Sequence, residues 1–410
     1  MQTIVPFIPM TDRMTTERVG EFTPPARLLL GPGPSMVHPR VLSAMGRPLL
    51  GHLDPDFLRL MDEIQRMLRR LFRTDNPFTI ALSGTGSAGM EAAVINLIEP
   101  GDTVIVGING VFGARMAVIV ERCGGKPIRV EAPWGRIIDP DAIRRALKQS
   151  GPVKAVAVVH GETSTGVLQP LEEIGALCRE HEALLIVDAV TSLGGVPVEV
   201  DQWGIDACYS GTQKCLSCPP GLAPLTLSER ALAGIRKRKT ACQSWYLDLS
   251  LIADYWAEAK RAYHHTAPIS MLYGLREALR LIEEEGLTAR HARHRLHSAA
   301  VMAGLGALGF AAFAQEGHRL PSLNAVTLPA GLDDAAIRAE LLSAYGIEIG
   351  GGLGELKGKI WRIGLMGESA GKTQVLTLLG ALEEIFVRRK RLDRTGAAVE
   401  AASRVYGGPK

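Results

Sequence analysis

The chain has 410 residues, 46% of them apolar, and a formal net charge of +3. This length predicts two domains, or one large domain with a smaller companion, around a sizeable hydrophobic core. The near balance of charges gives no reason to expect a nucleic acid or a membrane surface as a partner. The sequence also lacks an apolar run of about 18 residues, so no membrane-spanning helix is expected.

The cysteines and the first residues bear on the compartment. The six cysteines are scattered along the chain, as is typical of proteins in a reducing cytosol. The N-terminus does not combine a basic start with a long apolar segment, so no secretory signal is predicted. Cys215 and Cys218 form one CxxC pair, but a zinc or redox site would need further ligands. We therefore expect a cytoplasmic protein without a metal site.

Changes of composition divide the chain into four parts. Residues 1–26 contain several prolines and no helical period, so they are predicted to form an extended arm. Residues 27–285 are predicted to form a large domain, and residues 286–394 a smaller C-terminal domain. Residues 395–410 are expected to be a weak tail.

The large domain has short apolar runs that alternate with helical stretches. This pattern predicts an α/β fold with a mostly parallel sheet covered on both faces. The predicted strands are Thr79–Leu82, Thr103–Ile108, Ala155–Val159, Ala183–Val187, Ala207–Tyr209 and Leu222–Leu227. The predicted helices between them are Met90–Ile98, Val111–Cys123, Asp139–Lys148 and Leu171–His181. Ligands in such folds bind beyond the carboxyl ends of the strands.

The second half of the chain has longer helical periods and shorter strands. The predicted helices are Ser270–Glu285, 290–307, 333–344 and 372–388. The predicted strands are Ala325–Leu328, Ile347–Ile349 and Ile360–Ile363. The pattern indicates a smaller α+β domain.

Gly84, Gly86 and Gly89 form a G-x-G-x-x-G motif that follows a predicted strand and opens a helix. In dinucleotide-binding proteins this motif belongs to a first βαβ unit, and an acidic residue ends the next strand. Here the motif lies well into the chain, and Thr103–Ile108 runs into Asn109 instead of an acid. A helix N-terminus binds a single phosphate equally well, and a plain tight turn is a further alternative.

Asp188 and Lys214 are candidate catalytic residues. Asp188 ends a predicted apolar strand, where a carboxylate is often functional, although it could also cap a helix. Lys214 lies in Gly211-Thr-Gln-Lys214, between two apolar strands. A partly buried lysine loses its charge readily and can then form an imine, whereas a solvated loop lysine is the ordinary alternative.

Three further polar segments accompany these two residues. Arg362 lies between apolar residues, so it needs an anion, either a substrate carboxylate or an internal acid. The segment His160–Gly166 supplies hydroxyl groups after a strand, or forms a turn. The segment Tyr263–Thr266 precedes an apolar helix, for which Thr266 could be the N-cap.

Taken together, these segments resemble the class V, fold-type-I aminotransferases, in particular the alanine–glyoxylate and serine–glyoxylate group. The matching segments are Leu28–Ser35 (LLLGPGPS), Ser83–Ser87 (SGTGS), His160–Gly166 (HGETSTG), Val187–Gly195 (VDAVTSLGG), Ser210–Lys214 (SGTQK), Tyr263–Thr266 (YHHT) and Gly358–Gly364 (GKIWRIG). The resemblance implies a large domain with a mostly parallel seven-stranded sheet and a smaller C-terminal α+β domain. It also implies pyridoxal 5′-phosphate as cofactor.

The resemblance assigns roles to individual residues. Lys214 would hold the cofactor aldehyde as a Schiff base and move the substrate proton, while Asp188 would pair with the pyridine nitrogen. The remaining cofactor contacts would be, at the phosphate, Thr85, Gly86, Ser87 and Gln213 with the partner subunit's Tyr263 and Thr266, and, at the ring, Phe112 and Thr163. The substrate contacts would be Arg362 and Gly33.

Three positions depart from the pattern of the family. Phe112 stands where many members place a tryptophan on the cofactor ring, and Ser87 stands where animal members have histidine. His52 occupies the place of a glutamine in ureidoglycine–glyoxylate members, which argues against ureidoglycine as the donor.

The sequence therefore predicts a cytoplasmic homodimer with shared active sites. It would move an amino group from alanine or serine to glyoxylate by a ping-pong mechanism. A ureidoglycine–glyoxylate or pyridoxamine–pyruvate aminotransferase is the alternative within the fold. A nicotinamide-dependent oxidoreductase using Gly84–Gly89 is an alternative from another class, as is a non-catalytic binding protein, which would have no need of Lys214 beside Asp188.

Overall fold

The structure, a computed structural model, describes residues 19–257 and 261–408. The strands are β1 (Leu28–Leu30), β2 (Phe78–Ser83), β3 (Thr103–Ile108), β4 (Lys126–Glu131), β5 (Ala155–Val159), β6 (Gly161–Glu162), β7 (Val167–Leu168), β8 (Leu184–Asp188), β9 (Ala207–Tyr209), β10 (Leu222–Leu227), β11 (Ala311–Ala312), β12 (Leu323–Thr327), β13 (Ile347–Gly351) and β14 (Ile360–Gly364). The helices are α1 (Pro39–Met45), α2 (Pro55–Phe72), α3 (Gly86–Leu97), α4 (Val111–Arg122), α5 (Pro140–Gln149), α6 (Glu172–Glu180), α7 (Val200–Trp203), α8 (Glu229–Arg236), α9 (Leu249–Trp256), α10 (Ile269–Glu285), α11 (Leu287–Ala307), α12 (Asp334–Tyr345), α13 (Lys372–Arg388) and α14 (Ala397–Tyr406).

The large domain is built on a seven-stranded sheet in the order β2-β10-β9-β8-β5-β3-β4. Strand β10 runs antiparallel to both of its neighbours, and the other pairs are parallel. The predicted α/β fold with a mostly parallel seven-stranded sheet is confirmed. Strands β5 and β8 are buried along their whole length, which is why their sequences are continuous apolar runs.

The predicted strands of this sheet agree with the structure to within one residue at either end. Strand β4 has no counterpart among them. Its sequence, Lys126-Pro-Ile-Arg-Val-Glu131, mixes charged and apolar residues, and it forms the edge of the sheet. Unlike β2 at the other edge, which is almost fully buried, β4 is partly exposed along its whole length, so it does not produce the continuous apolar run from which the other strands are predicted.

The smaller domain has a five-stranded sheet in the order β1-β13-β14-β12-β11. Strand β1 pairs in parallel with β13, with Leu28 opposite Ile347 and Leu30 opposite Ile349. This pairing corrects the assignment of residues 28–30 to the large domain. The reason is non-local: Leu30 is buried in the hydrophobic core of the smaller domain, hundreds of residues away in sequence.

The expected tail at residues 395–410 is also corrected, because most of it forms α14. This helix packs along α11 and buries Ala398 and Ala402 in the core of the smaller domain. The Glu383 side chain accepts hydrogen bonds from the N–H groups of Gly396 and Ala398, at 2.9 and 2.5 Å, and so anchors the start of the helix. The two residues that α14 buries are alanines, whose small side chains give little indication of burial in the sequence.

The predicted N-terminal arm is only partly within the described residues. Residues 19–26 are exposed and form no helix or strand, and the prediction for residues 1–18 lies outside the described residues. Nowhere in the described ranges does a helix have both the length and the apolar character that crossing a membrane requires.

The sheet places the candidate residues at one edge. Strands β2, β5, β8 and β9 run in the same direction, as their pairings show. Ser83 and Asp188 are the last residues of β2 and β8, and His160 directly follows β5. Lys214 lies in the loop that follows β9. These groups therefore converge beyond the carboxyl ends of the strands, where such folds bind ligands.

Candidate active site

A cavity of about 230 Å³ lies at the carboxyl edge of the large sheet. It brings together eight of the residues predicted to contact a cofactor: Thr85, Gly86, Ser87, Phe112, Thr163, Asp188, Gln213 and Lys214. Larger open clefts of about 760 and 790 Å³ lie along α2 and α10, and neither contains any of these eight residues. The other four predicted site residues, Gly33, Tyr263, Thr266 and Arg362, do not line this cavity.

Lys214 is buried, with 9% of its surface exposed, so it is not a solvated loop lysine. Its Nζ donates a hydrogen bond to the carbonyl oxygen of Pro32. Burial, with a further contribution from the Arg362 charge, lowers the pKa of Lys214 from 10.5 to about 8. At pH 7 about one molecule in ten then carries the neutral amine, which is the form that attacks an aldehyde.

Gly33 lies against the Lys214 side chain. Its φ of +103° is in the region that favours glycine. A Cβ atom there would lie 2.8 Å from Lys214 Cδ and 2.9 Å from Nζ. A side chain at position 33 would therefore displace the amine.

Asp188 is almost fully buried and faces the same cavity. Its Oδ1 accepts a hydrogen bond from Val190 N at 2.8 Å, and its Oδ2 accepts one from Tyr209 Oη at 3.1 Å. Burial raises the pKa of Asp188 to about 6, against the effect of these two hydrogen bonds. The carboxyl group is mostly ionised at neutral pH, and a cationic ring nitrogen beside it would offset the cost of its burial.

The glycine motif forms the N-terminus of α3. Thr85 is the N-cap and its side chain makes no capping hydrogen bond. A Cβ atom on Gly86 would lie 3.0 Å from Val190 Cγ2 and 3.5 Å from Gly211 Cα, so the backbone here requires close packing. The partial positive charge of the helix end suits an anion. The preceding strand, β2, lies at the edge of the sheet, whereas the dinucleotide motif follows a central strand.

Gln213 supplies an independent sign of a polar ligand. Its side-chain oxygen Oε1 is buried and has no hydrogen-bond partner among the described residues. The residue lines the cavity near Gly211, on the same side as the start of α3. A buried polar atom without a partner is rare in folded proteins, so this amide fits a ligand in the cavity.

Arg362 extends from β14 and has 6% of its surface exposed. Its Nε donates to Gly351 O at 2.7 Å and its Nη1 approaches Thr163 O at 3.4 Å. No carboxylate among the described residues lies within ion-pair distance of it, although the charge of the buried Glu162 favours its cationic form. Burial lowers the pKa of Arg362 to about 10, and the group remains a cation suited to a bidentate carboxylate.

Glu162 was not singled out from the sequence, although it lies within His160–Gly166. It is fully buried, and it accepts hydrogen bonds from Phe112 N at 3.1 Å and from Ser164 Oγ at 2.6 Å. Burial raises its pKa. Glu162 thus fixes the start of α4 and with it the Phe112 ring, over which the Arg115 guanidinium lies at 4.9 Å. Arg115 also lines the cavity and was not predicted.

Two side chains that follow β5 are hydrogen-bonded to the segment after Asp188. Thr163 Oγ1 is hydrogen-bonded to Thr191 Oγ1. His160 Nδ1 is 2.9 Å from Ser192 Oγ, and burial lowers the pKa of His160 to about 3. His160 is therefore a neutral structural partner of the segment after Asp188.

Tyr263 and Thr266 do not line the cavity of their own chain. Tyr263 is 59% exposed, and its Oη is 3.4 Å from Thr266 Oγ1. The neighbouring His265 Nε2 is 2.7 Å from Ser83 Oγ, directly before the glycine motif. The segment thus contacts Ser83, directly before the glycine motif, while its tyrosine is exposed.

The CxxC pair has no sign of a metal or redox site. Cys215 and Cys218 are free and buried, and burial raises the pKa of Cys218 to about 12. No group of metal-ligating side chains occurs in the part of the chain that the structure describes. Buried thiols of high pKa are unreactive.

The chain matches the family described as Aminotransferase class-V over residues 28–355. It is 44% identical to the (S)-ureidoglycine–glyoxylate transaminase of Bacillus subtilis, over 94% of this chain and 97% of that protein. It is 44% identical to the alanine–glyoxylate aminotransferase of Callithrix jacchus, over 88% and 87%. The solved structure of an alanine–glyoxylate aminotransferase from Nostoc sp. superposes with a TM-score of 0.88 at 48% identity, covering 90% of this chain and 97% of that one.

The lowered pKa of Lys214 gives a test by pH. If the neutral amine captures pyridoxal phosphate, the capture rate of the cofactor-free protein rises about tenfold per pH unit and levels off near the pKa of about 8. Stopped-flow absorbance at constant ionic strength measures this rate. The Lys214→Arg variant, which keeps the charge but cannot form an imine, is the control. A midpoint near 10.5, the ordinary lysine value, would contradict the burial argument.

Proposed function

Because the chain belongs to the class V aminotransferases, we propose that it moves an amino group from alanine or serine to glyoxylate. Pyridoxal 5′-phosphate is the cofactor of this family. The observation that carries the proposal is the buried Lys214 amine in one cavity with the ionised Asp188 carboxyl group. A nicotinamide enzyme would have no use for this pair.

The residues of the cavity fit the cofactor. The N-terminus of α3 at Thr85–Ser87, with the unsatisfied amide of Gln213, would hold the phosphate. Asp188 would hold the ring nitrogen in its protonated form. Phe112 offers an aromatic face for stacking, smaller than that of tryptophan and without an N–H group.

The bound cofactor supplies an aldehyde that takes up the donor's amino group and a ring that withdraws electrons from the donor's Cα. Lys214, once its Nζ is neutral, accepts the proton from the donor's Cα and can return a proton during the reverse half-reaction. Asp188 would favour the protonated form of the ring nitrogen when the cofactor is bound. Arg362 binds the carboxylate of donor and acceptor alike and so orients the Cα–H bond toward Lys214.

Arg362, the residue proposed to bind the donor carboxylate, does not line the cavity, so the cavity volume does not limit the size of the donor side chain. Relatives of similar identity are named for alanine and for ureidoglycine, so family similarity alone does not choose between them. His52, in place of glutamine, favours alanine or serine over ureidoglycine.

The proposal is tested by the visible absorption of the cofactor-loaded protein without any keto acid. We expect alanine or serine to bleach the band in a single turnover, and glyoxylate to restore it with release of glycine. Ureidoglycine and pyridoxamine, each tried separately, test the alternatives within the fold. The Lys214→Ala variant should lose both half-reactions. A wild-type protein that never develops a visible band with added cofactor would refute the proposal.

The role of Arg362 can be tested separately from cofactor binding. Arg362→Lys keeps a cation but loses the fork that grips both carboxylate oxygens, so we expect the donor KM to rise roughly 10- to 100-fold. The absorption band should be unchanged, because Arg362 does not hold the cofactor. The exposed Arg145→Lys substitution is a matched control. An unchanged donor KM would show that another group binds the carboxylate.

We further propose that the active site is completed by a second copy of the chain. Four exposed residues are apolar or aromatic: Leu53, Trp245, Tyr246 and Tyr263. The Tyr263 ring contacts His52, and the rings of Trp245 and Tyr246 contact His264 and His265, which directly follow Tyr263 in the chain. Large exposed patches of this kind commonly mark interfaces. A twofold arrangement would bring Tyr263 and Thr266 to the phosphate of the partner's cofactor.

A complementation experiment decides whether sites are shared. The inactive Lys214→Ala chain is coexpressed with a chain that carries Tyr263→Phe and Thr266→Ala, and activity is measured at limiting cofactor. In a shared-site hybrid, one of the two sites has an intact Lys214 and an intact Tyr263. Random pairing should then recover about a quarter of wild-type activity. If each chain completes its own site, the mixture stays as weak as the variants alone.

The free cysteines support a reducing compartment, and we propose a cytoplasmic location.

A further inference from the structure

Arg290 lies on α11 of the smaller domain and extends into the large domain, where it contacts Gly194 and Cys215. The residue is 5% exposed. Its Nε donates a hydrogen bond to Gly194 O at 2.9 Å, and its Nη2 donates one to Cys215 O at 2.6 Å. Gly194 lies in the segment that follows Asp188, and Cys215 directly follows Lys214. One guanidinium group therefore joins the two segments that carry the candidate catalytic residues.

Glu285, the last residue of α10, binds both Arg290 and Arg293, which lie on α11. Its Oε2 accepts from Arg290 Nη1 at 2.6 Å, and its Oε1 accepts from Arg293 Nε at 2.6 Å. Burial opposes the charge of Glu285, but its two arginine partners outweigh burial and lower its pKa. Arg293 Nη1 in turn donates to Gly367 O at 2.9 Å and to Ala370 O. We call Glu285, Arg290 and Arg293 the α11 clamp.

The segment held by Arg293 also packs on the Lys214 loop. It follows β14, the strand that carries Arg362. A Cβ atom on Gly367 would lie only 2.7 Å from Cys215 O, and Glu368 N donates to Ser217 Oγ at 2.7 Å. The α11 clamp therefore holds the segments next to Lys214, Asp188 and Arg362.

The chemistry of the clamp suits positioning. Burying a guanidinium group is costly unless its donors are satisfied, and apolar residues would join the two domains at lower cost. What arginine adds is a rigid planar fork that sets two carbonyl groups at a fixed separation and angle, which a lysine cannot do. On the other side, Ser35 Oγ donates to Lys214 O at 2.8 Å. The main chain at Lys214 is thus held by adjacent carbonyl groups from two directions.

We propose that Arg290 is a positioning residue, which fixes the Lys214 amine relative to the Asp188 carboxyl group by holding the Gly194 and Cys215 carbonyl groups. Glu285 sets the direction of its guanidinium group. This inference rests on the proposed function, since the placement matters if Lys214 is the reacting amine. A displacement of about 1 Å at a reacting group can lower a rate roughly 100-fold.

The test compares Arg290→Lys, which keeps the charge and loses the fork, with Arg295→Lys, an exposed substitution on the same helix. We expect Arg290→Lys to lower the rate of the first half-reaction per loaded site about 10- to 100-fold, with a change in donor KM below about threefold. A loosened loop also admits water to Lys214. The pH midpoint for cofactor capture by the cofactor-free variant should therefore move upward, and Arg295→Lys should match the wild type in both measurements.

A purely structural role gives a different result. Arg290→Lys would then lower the unfolding temperature while the rate per loaded site and the capture midpoint stayed at wild-type values, and the proposal would be overturned. If Arg290→Lys does not fold, Glu285→Gln is measured in the same way, and it should move both quantities in the same direction by less. A wild-type protein that responds to no donor would contradict the proposed function instead, and the capture midpoint would still test the clamp.

Discussion

The chemistry of the candidate active site depends on the burial of the Lys214 amine and the Asp188 carboxyl group in one small cavity. Burying an unpaired charge costs several kcal/mol, so each group shifts toward its neutral form. The pKa of Lys214 falls to about 8 and that of Asp188 rises to about 6. At neutral pH the cavity then holds a Lys214 amine that is neutral in about one molecule in ten and an Asp188 carboxyl group that is mostly ionised. In the proposed function, an aldehyde that binds the amine and a basic ring nitrogen that pairs with the carboxylate would stabilise this state, so burial of the two groups would favour binding of the cofactor.

The parallel sheet explains how such a pair can be maintained. Its central strands are buried on both faces, so their carboxyl ends are fixed by packing and not by the loops alone. Asp188 is the last residue of β8, so its position is fixed by the same packing. Lys214 lies in a loop, and its position is set by contacts on several sides: Gly33, which leaves space for the side chain, and Ser35 and Arg290, which hold the adjacent carbonyl groups. In the proposed function, the smaller domain would thus act through these contacts as well as through Arg362.

The sequence predicts those parts of the fold and site that depend on local patterns. The buried strands produce continuous apolar runs, and Asp188 and Lys214 stand out because charged residues next to such runs are unusual. Strand β4 is not predicted because it is partly exposed along its length, and helix α14 because the residues that it buries are small alanines. The pairing of β1 with β13 is not predicted because it is non-local. Glu162 and Arg290 were missed for the same reason: their importance comes from partners far away in the sequence. A glutamate between a buried strand and a run of hydroxyl residues is the signal that could have identified Glu162.

The residues that bind a shared cofactor do not distinguish one amino donor from another. The choice of donor therefore depends on contacts to the donor's own side chain. Among the positions that depart from the family pattern, His52 lies outside the cavity of its own chain, with its ring 5.1 Å from that of Tyr263. If the proposed dimer brings Tyr263 to the partner's cofactor, His52 comes with it and faces the partner's donor site. Selection among alanine, serine and ureidoglycine would then be a property of the interface, set by one chain for the amine of the other. The size and hydrogen-bonding capacity of the His52 side chain would then help to decide which short donor side chains the site accepts.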